Sequence, residues 1–392
     1  MLAESCIKIR DEYCSKCVIC SSTCPFEAIS LDKETDKMIL DIEKCQVCGI
    51  CFSACPSSSI ELAYYKAALF IDFIKNMRKD NLVLMCKGTV IRPEVRENLK
   101  KHGIEDGFIP LYVPCVGRIP PELLLELLAL GVRRVAVLSC DEDKCRFKVG
   151  SDIGILRFSL LQRLLNQLGF GDDVLTFIRS SIKARINTYR CIGCGNCAYI
   201  CQYNAIKIAP PGIARIDENT CVGCGACAAV CPALAINLEG FEHDLILETI
   251  SKLRSLVNEV KTKIGKPVVL VFYCQWANFP PPDKHQSYSE ENVVFLEIPC
   301  SSMLNPLYVL QAFYSGFDGV LVAACKKGEC KFERGNELAE RYVIALKRLL
   351  KQVNLENKFE ICFVSPKYLG EFNAQIKSFI DKIAYMALEG FK

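Results

Sequence analysis

Cysteine spacing constrains this chain more than any other feature, because 24 of its 26 cysteines form two copies of one pattern within 392 residues. The first copy comprises Cys14, Cys17, Cys20, Cys24, Cys45, Cys48, Cys51, Cys55, Cys86, Cys115, Cys140 and Cys145. The second comprises Cys191, Cys194, Cys197, Cys201, Cys221, Cys224, Cys227, Cys231, Cys274, Cys300, Cys325 and Cys330. Equivalent cysteines are separated by 177, then 176, once 188, and finally 185 residues. The pattern predicts a tandem duplication built around thiolate-bound metal.

Composition excludes several classes of protein. The net charge is +3 and no basic run is long, so the sequence carries no nucleic-acid footprint. The amino terminus has no apolar signal-peptide core, and no stretch approaches about eighteen uncharged apolar residues. We therefore expect no transmembrane segment and a cytoplasmic location. Thiols stay reduced in that compartment, so the cysteines indicate metal rather than disulfides.

Four cysteine runs share the spacing C-x2-C-x2-C-x3-C, and they begin at Cys14, Cys45, Cys191 and Cys221. A loop of this spacing can wrap three thiolates around one corner of an iron–sulfur cubane. The fourth cysteine starts the next helix and reaches the neighbouring cluster. The runs resemble those of bacterial two-cluster ferredoxins, with two runs in each domain.

The ferredoxin rule predicts four [4Fe-4S] clusters. Their expected ligands are Cys14, Cys17, Cys20 and Cys55; Cys45, Cys48, Cys51 and Cys24; Cys191, Cys194, Cys197 and Cys231; and Cys221, Cys224, Cys227 and Cys201. Structural zinc is the alternative, but zinc needs four ligands per ion and has no use for two interlocked runs.

Two longer segments, 61–182 and 240–392, have the pattern of α/β modules. Each starts with apolar residues at helical spacing, and apolar strand-like runs then end at or just before cysteines. A proline near the start and a glycine past the end predict helices over 121–130 and 306–315. A long helix is expected to close each module. Strand–helix alternation of this kind favours a largely parallel sheet.

The remaining eight repeated cysteines lie at predicted strand ends or in the loops that follow. Those ends meet at one edge of a parallel sheet, so four thiolates of each copy are expected to converge. The two sets are Cys86, Cys115, Cys140 and Cys145, and Cys274, Cys300, Cys325 and Cys330. An iron–sulfide cluster, structural zinc and buried free thiols are the alternatives for both sets.

These modules resemble the iron–sulfur delta subunit of methyl-viologen-reducing hydrogenase. The resemblance rests on FYCQW at 272–276, on the segment around Cys300, on DGVLVAACKKGECKFERGN at 318–336, and on the Cys115–Arg118 segment. It implies one [2Fe-2S] cluster per module, and electrons passing between a hydrogenase and a heterodisulfide reductase. The family has a second cysteine where this chain has Ala277. Pairing of ferredoxin and delta-like modules is also similar to the carboxy-terminal part of the A subunit of heterodisulfide reductase.

The sequence thus predicts a multidomain protein of α/β and α+β class. Its expected domains are a two-cluster ferredoxin (1–60), a delta-like α/β domain (61–182), a second ferredoxin (183–239) and a second delta-like domain (240–392). The predicted function is single-electron relay, without catalytic residues, in a complex with hydrogenase or heterodisulfide-reductase-like subunits; a flavin-bearing subunit is one candidate partner. A catalytic subunit that reduces a disulfide or sulfur compound at an exposed cluster is one alternative. A zinc-stabilised scaffold is the other.

Residues outside the pattern receive simpler interpretations. No G-x-G-x-x-G after a strand and no P-loop occur, so neither a flavin nor a nicotinamide site has support. Cys6 and Cys362 are expected to be buried or idle thiols. Surface positions are predicted for the histidines His102, His243 and His285 and for the basic run Lys183, Arg185 and Arg190, which is a solvated linker face or a docking patch. Arg118 is either a hydrogen-bond donor to a cluster or a partner's cofactor, or half of a surface salt bridge.

Overall fold

The computed structural model describes residues 5–64, 67–77, 80–105, 107–279 and 291–389, and these form two compact units. Unit 1 contains the described residues up to Ser181, together with Phe279 and Lys367–Leu369. Unit 2 contains Ile182–Asn278 and the described residues from 291 onward, apart from Lys367–Leu369. Each unit has a loop subdomain, 5–64 in unit 1 and 182–241 in unit 2, and a sheet subdomain formed by the rest.

The loop subdomain of unit 1 consists of short elements around two cysteine loops. Its elements are β1 (Ile7–Ile9), α1 (Ile19–Ser22), β2 (Ile29–Asp32), β3 (Lys37–Leu40), α2 (Ile50–Ala54) and β4 (Ile60–Leu62). Strand β1 pairs with β4, and β2 pairs with β3, in both cases antiparallel. Helices of four or five residues are not stable alone, so the loops and their ligands must fix them.

The sheet subdomain of unit 1 alternates strands and helices. Its elements are α3 (Ala67–Met77), β5 (Asn81–Cys86), α4 (Pro93–Lys101), β6 (Ile109–Val113), α5 (Pro121–Ala129), β7 (Arg134–Ser139), α6 (Gly150–Gln167) and β8 (Leu175–Arg179). All pairings are parallel, in the order β6-β5-β7-β8. The central strands β5 and β7 are buried along almost their whole length, as a parallel sheet covered on both faces requires.

Unit 2 has a similar order of elements, although no described helix corresponds to α4 and a further helix follows its last strand. Its loop subdomain holds β9 (Ala184–Ile186), α7 (Asn196–Ile200), β10 (Ile206–Ala209), β11 (Ile213–Ile216), α8 (Ala226–Ala229) and β12 (Ile236–Leu238). Its sheet subdomain holds α9 (His243–Ile264), β13 (Val269–Cys274), β14 (Val293–Ile298), α10 (Pro306–Tyr314), β15 (Gly319–Cys325), α11 (Gly335–Leu350), β16 (Phe359–Val364) and α12 (Glu371–Glu389). The parallel strand order is β14-β13-β15-β16, equivalent to that of unit 1.

The predicted parallel sheets and the proline-started helices α5 and α10 are confirmed. A long helix does follow the last repeated cysteine of each module, as α6 and α11, but it does not close the module as predicted. In unit 1 the helix α6 leads into a fourth strand, and in unit 2 a fourth strand and a further helix follow α11. The fourth strands have only five or six residues, and apolar runs of that length have no periodicity that identifies them as strands. Within the described residues, no helix is both long and apolar enough to cross a membrane.

We predict that Asn305→Ala lowers the stability of unit 2 by about 2 kcal/mol. Asn305 is the N-cap of α10, where Oδ1 accepts from the Leu307 amide at 2.9 Å and Nδ2 donates to the Ala229 carbonyl at 3.2 Å. The substitution removes the cap and leaves a carbonyl of the loop subdomain without that donor. Guanidinium unfolding followed by circular dichroism, under anaerobic conditions, measures the loss. Asn219→Ala, at an exposed position, is the control, and equal midpoints for the two variants would contradict the prediction.

Candidate metal centres

The four cysteine loops share one backbone conformation. In each loop the residues on either side of the middle cysteine have positive φ, namely Lys16 and Val18, Val47 and Gly49, Gly193 and Gly195, and Gly223 and Gly225. Glycine adopts this region without strain, whereas a β-branched residue does so at a cost. Loops of unit 2 use glycine at every such position, but those of unit 1 use it once. The strain at Val18 and Val47 marks loops whose shape is dictated by what they hold.

An outer set of four thiols gathers in each loop subdomain. Burial raises the pKa of Cys20, and the neighbouring thiols that raise it further are Cys55, Cys14 and Cys17. Burial also raises the pKa of Cys197, with the same contribution from Cys231, Cys194 and Cys191. In unit 2 these four thiols line one small pocket together with apolar side chains such as Ile186 and Ile208. Each outer set therefore combines three cysteines of one run with the last cysteine of the other.

An inner set of four thiols lies deeper in each loop subdomain. Burial raises the pKa of Cys51 well above its ordinary value, and Cys48, Cys45 and Cys24 are the nearest thiols that add to the rise. For Cys227, burial is again the first cause, followed by Cys224, Cys221 and Cys201. The four thiols of unit 2 line a second small pocket, with Ala184, Ala205 and Ile206 among its walls.

Backbone amides point at several of these sulfur atoms. In unit 1, Val47 donates to Cys45 Sγ at 3.4 Å, and Ala28 donates to Cys24 Sγ at 3.4 Å. In unit 2, the Ala184 amide donates to Cys221 Sγ at 3.4 Å, and the Ala235 amide donates to Cys231 Sγ at 3.2 Å. Hydrogen bonds of this kind favour the thiolate form and raise the reduction potential of a bound cluster.

A third set of thiols, the sheet set, gathers at the carboxyl ends of β5, β6 and β7 in unit 1. The neighbouring thiols of Cys115 and Cys140 are the largest causes that raise the pKa of Cys86 and that lower the pKa of Cys145, so the four thiols lie next to one another. The Val116 amide also donates to Cys86 Sγ at 3.2 Å. The set thus combines four neighbouring thiols with a backbone donor.

Unit 2 has an equivalent sheet set. Cys274 Sγ lies 3.7 Å from Cys325 Sγ and is also bonded to Cys300, and Cys300 is bonded in turn to Cys330. In both units the first residue of the following helix is a glycine that touches the set. A Cβ on Gly150 would lie 2.6 Å from Cys115 Sγ, and a Cβ on Gly335 would overlap Cys300 Sγ. Glycine is therefore required for the helix to start beside the thiols.

The three sets follow one another within each unit. Cys20 of the outer set is among the groups that affect the pKa of Cys51 in the inner set, after burial and three nearer thiols. Cys48 of the inner set contributes in the same way to the raised pKa of Cys115 in the sheet set, after the bond from Cys145 and burial. In unit 2, the Tyr342 side chain lies near Cys224 and Cys227 of the inner set and Cys300 of the sheet set. The order in a unit is outer set, inner set, sheet set.

These donors fit iron–sulfur clusters. Thiolate sulfur in sets of four, apolar walls and amide donors to sulfur are the features that such clusters use. Within the described part of the chain, no three His, Cys, Asp or Glu side chains surround a point that a single metal ion could occupy. Each cysteine of a cubane binds a different iron atom, so a cluster does not need convergence on one point.

Several charged residues that were expected at the surface are buried. Arg118 is 1% exposed, and its Nη2 donates to the Val47 carbonyl at 2.9 Å. The alternative prediction that Arg118 forms a surface salt bridge is therefore wrong. Lys183 is 5% exposed because its Nζ donates to the Cys221 carbonyl, which excludes the solvated linker face for this residue. Arg185 does remain partly exposed, in ion pairs with Glu218 and Glu239. The sequence alone could not distinguish the buried cations from the exposed one, because arginine and lysine are ordinarily surface residues and their local sequences do not differ in this respect.

The surface positions predicted for the histidines are only partly observed. His102 is exposed as predicted, and His285 lies outside the described residues. His243 is buried, contrary to prediction, and the Tyr308 hydroxyl lies 2.6 Å from its Nδ1. Of the two unrepeated cysteines, Cys6 is buried beside the inner set of unit 1, and Cys362 is half-buried in β16. Burial raises the pKa of both thiols to about 12.

Comparison with known proteins identifies domains of two kinds in the chain. A family model described as "4Fe-4S dicluster domain" matches residues 13–59, and models of the same description match 184–238 and 213–276. The loop subdomains are therefore [4Fe-4S] ferredoxin-type domains, and the whole chain is a mixed α/β protein with parallel-sheet domains.

Curated relatives come from two kinds of complex. The chain is 34% identical over 204 residues to the A subunit of the ferredoxin:CoB-CoM heterodisulfide reductase of Methanosarcina mazei, a match that covers 51% of this chain and 25% of the relative. It is 29% identical over 124 residues to the vhu iron-sulfur D subunit of the F420-non-reducing hydrogenase of Methanococcus maripaludis, covering 31% of this chain and 92% of the relative. The corresponding vhu protein of Methanopyrus kandleri is 32% identical over 114 residues, 28% of this chain and 86% of the relative. The chain thus spans about a quarter of the length of the heterodisulfide reductase relative.

The strongest family assignment concerns the sheet subdomains. The model described as "Methyl-viologen-reducing hydrogenase, delta subunit" matches residues 82–204 and again residues 269–387, which together exceed half of the chain. Both matched segments contain a complete sheet set of thiols. The chain belongs to the family of the delta subunit of methyl-viologen-reducing hydrogenase.

Proposed function

We propose that this chain is an iron–sulfur electron-transfer subunit of an oxidoreductase complex of the hydrogenase or heterodisulfide reductase type. The observation that carries the proposal is the order of the thiol sets, in which outer, inner and sheet sets succeed one another within each unit. A series of neighbouring redox centres suits relay of single electrons through a protein. The family assignment and the names of the relatives support the same conclusion.

The proposed cofactors are four [4Fe-4S] clusters in the outer and inner sets and two [2Fe-2S] clusters in the sheet sets. The ligands are the thiolates of those sets, as the spacing of the sequence predicts. When bound, each cluster accepts and releases one electron. The surrounding residues exclude water, and amides such as those of Val47, Ala235 and Val116 donate to sulfur. These are the means by which a protein adjusts the potential of a cluster.

We infer that the chain arose by tandem duplication of a ferredoxin joined to a delta-like module, with domains near 1–60, 61–182, 183–239 and 240–392. Support comes from the equivalent strand orders of the two sheets and from Gly150 and Gly335, which begin equivalent helices against equivalent thiols. Such a protein would be non-catalytic and would work in the cytoplasm. Its expected partners are hydrogenase or heterodisulfide-reductase-like subunits, because relatives of both kinds are named as subunits. A flavin-bearing subunit is a further candidate.

Metal analysis of anaerobically purified protein tests the proposal. We expect about 20 iron atoms per chain with matching acid-labile sulfide, because four cubanes and two [2Fe-2S] clusters require that number. About 16 iron atoms with two zinc ions would reassign the sheet sets to structural metal. Very little iron in a folded anaerobic sample would contradict electron transfer and favour the zinc scaffold. Disulfide or sulfur reduction by the isolated chain would favour the catalytic alternative.

We further predict that Gly335→Ala removes the sheet-set cluster of unit 2 alone. The new Cβ would overlap Cys300 Sγ and would lie 3.3 Å from Cys330 Sγ, and the helix start leaves little room for either sulfur to move. Iron should fall by about two atoms per chain, with loss of half of the [2Fe-2S] signal in electron paramagnetic resonance. Gly171→Ala is the control, since its Cβ would meet only the flexible Asp173 carboxylate. Full iron and an unchanged signal in Gly335→Ala would contradict the prediction.

A further inference from the structure

The two units have equivalent thiols but different charges between their inner and sheet sets. The 185-residue offset makes Met303 the equivalent of Arg118, and the 176-residue offset makes Gly225 the equivalent of Gly49. Both side chains fill the same place. A Cβ on Gly49 would lie 2.7 Å from Arg118 Nε, and a Cβ on Gly225 would lie 2.8 Å from the Cβ and Cγ of Met303. A cation in unit 1 is therefore replaced by a neutral thioether in unit 2.

Arg118 is placed to act on the inner set of unit 1. It is 1% exposed, and its Nη2 donates to the carbonyl of Val47, which lies between Cys45 and Cys48 in the loop. The amide of the same Val47 donates to Cys45 Sγ. Away from water, a fixed positive charge acts on neighbouring charges far more strongly than it does at the surface. Met303, which is fully buried, supplies no such charge.

A second arginine of unit 1 also has a neutral residue as its equivalent in unit 2. Arg157 Nη1 donates to the Gly117 carbonyl at 3.0 Å and also contacts the Ser53 hydroxyl, so it joins the loop and sheet subdomains of unit 1. Its equivalent in unit 2 is the neutral Tyr342, which lies near Cys224, Cys227 and Cys300. Glu122 lies close enough to Arg157 to offset part of its charge. Arg118 is therefore the main contributor to the difference.

Buried lysines do not cancel this difference. A buried lysine beside the sheet set of unit 1, Lys87, follows Cys86 and is replaced by the neutral Gln275 in unit 2, so it adds to the difference there. Beside the inner loop, each unit has one buried lysine. In unit 1, Lys367 Nζ donates to the Glu43 carbonyl at 2.8 Å. In unit 2, Lys183 Nζ donates to the Cys221 carbonyl at 3.3 Å. The two ammonium groups match in number, whereas the arginine at position 118 has no cationic equivalent at position 303.

We propose that Arg118 is a positioning residue that places a buried positive charge beside the inner [4Fe-4S] cluster of unit 1. This charge makes that cluster easier to reduce than its equivalent in unit 2. The inference rests on the proposed function. Reduction adds one electron and no bond changes, so the reduced cluster gains a negative charge that a buried guanidinium stabilises. Duplication would then have produced two halves with the same ligands but different affinities for an electron, and the electron would rest first in unit 1.

Redox titration of the full chain with dithionite, followed by electron paramagnetic resonance, tests this inference. In the unsubstituted protein, the [4Fe-4S] component displaced by Cys48→Ser should be reduced before the component displaced by Cys224→Ser. Arg118→Met should lower the equilibrium constant for reduction of the Cys48 component by about tenfold. For a one-electron couple this corresponds to a fall of about 59 mV in the reduction potential. Arg118→Lys keeps the charge and should shift the component much less.

The outcomes separate this inference from the proposed function. Iron near the expected content, with reducible clusters but equal shifts for Arg118→Met and Arg118→Lys, would overturn the role of Arg118 and leave electron transfer intact. Reduction of the component displaced by Cys224→Ser before the component displaced by Cys48→Ser would also overturn it, even if the Arg118 variants fail to fold. A folded chain without reducible clusters would refute the proposed function itself.

Discussion

Interlocking of the cysteine runs is the constraint on which the rest of the structure depends. In each loop subdomain, the last thiol of one run joins the first three of the other, so neither loop can close without its neighbour. The elements between the loops are helices of four or five residues and paired strands of three or four. Elements this short bury too little surface to be stable alone. Metal–thiolate bonds are thus expected to supply much of the folding free energy, as in other small metal domains.

The sheet subdomains differ from the loop subdomains, because their cores are large enough to fold around buried parallel strands. The order of strands brings the carboxyl ends of β5, β6 and β7 to one edge, and β13, β14 and β15 do the same in unit 2. Glycine at the start of α6 and α11 lets a helix approach the sulfur atoms directly. The same edge faces the inner loop of its own unit, through Ser53 and Gly117 in unit 1 and Ser302 and Cys224 in unit 2. Packing therefore places the third thiol set next to the second.

The two units agree more strictly in their cysteines than in the residues around them. All twelve thiols recur, while Arg118 is exchanged for Met303, Arg157 for Tyr342 and Cys6 for Lys183. The positive-φ positions of the loops differ too, since Val18 and Val47 tolerate strain that Gly195 and Gly223 avoid. Ligand chemistry leaves no freedom at a thiolate, whereas the neighbouring residues set potential and can vary. Such variation places one repeated pattern of thiols in two different electrostatic surroundings.

Cysteine spacing by itself predicted the [4Fe-4S] domains and the sets of thiols that could hold their clusters, because ligation of a cluster requires particular residues at particular intervals. For the sheet sets it left an iron–sulfide cluster, zinc and free thiols as alternatives. Helices with a proline start and glycine stop, such as α5 and α10, were also readable because those signals are local. The short strands β8 and β16 were not, since five or six apolar residues carry no distinguishing period. Only the tertiary structure decided that Arg118, Lys183 and His243 are buried, because their partners lie 71, 38 and 65 residues away. Ligand identity is local chemistry, but the charge around a ligand depends on which distant segments pack against it.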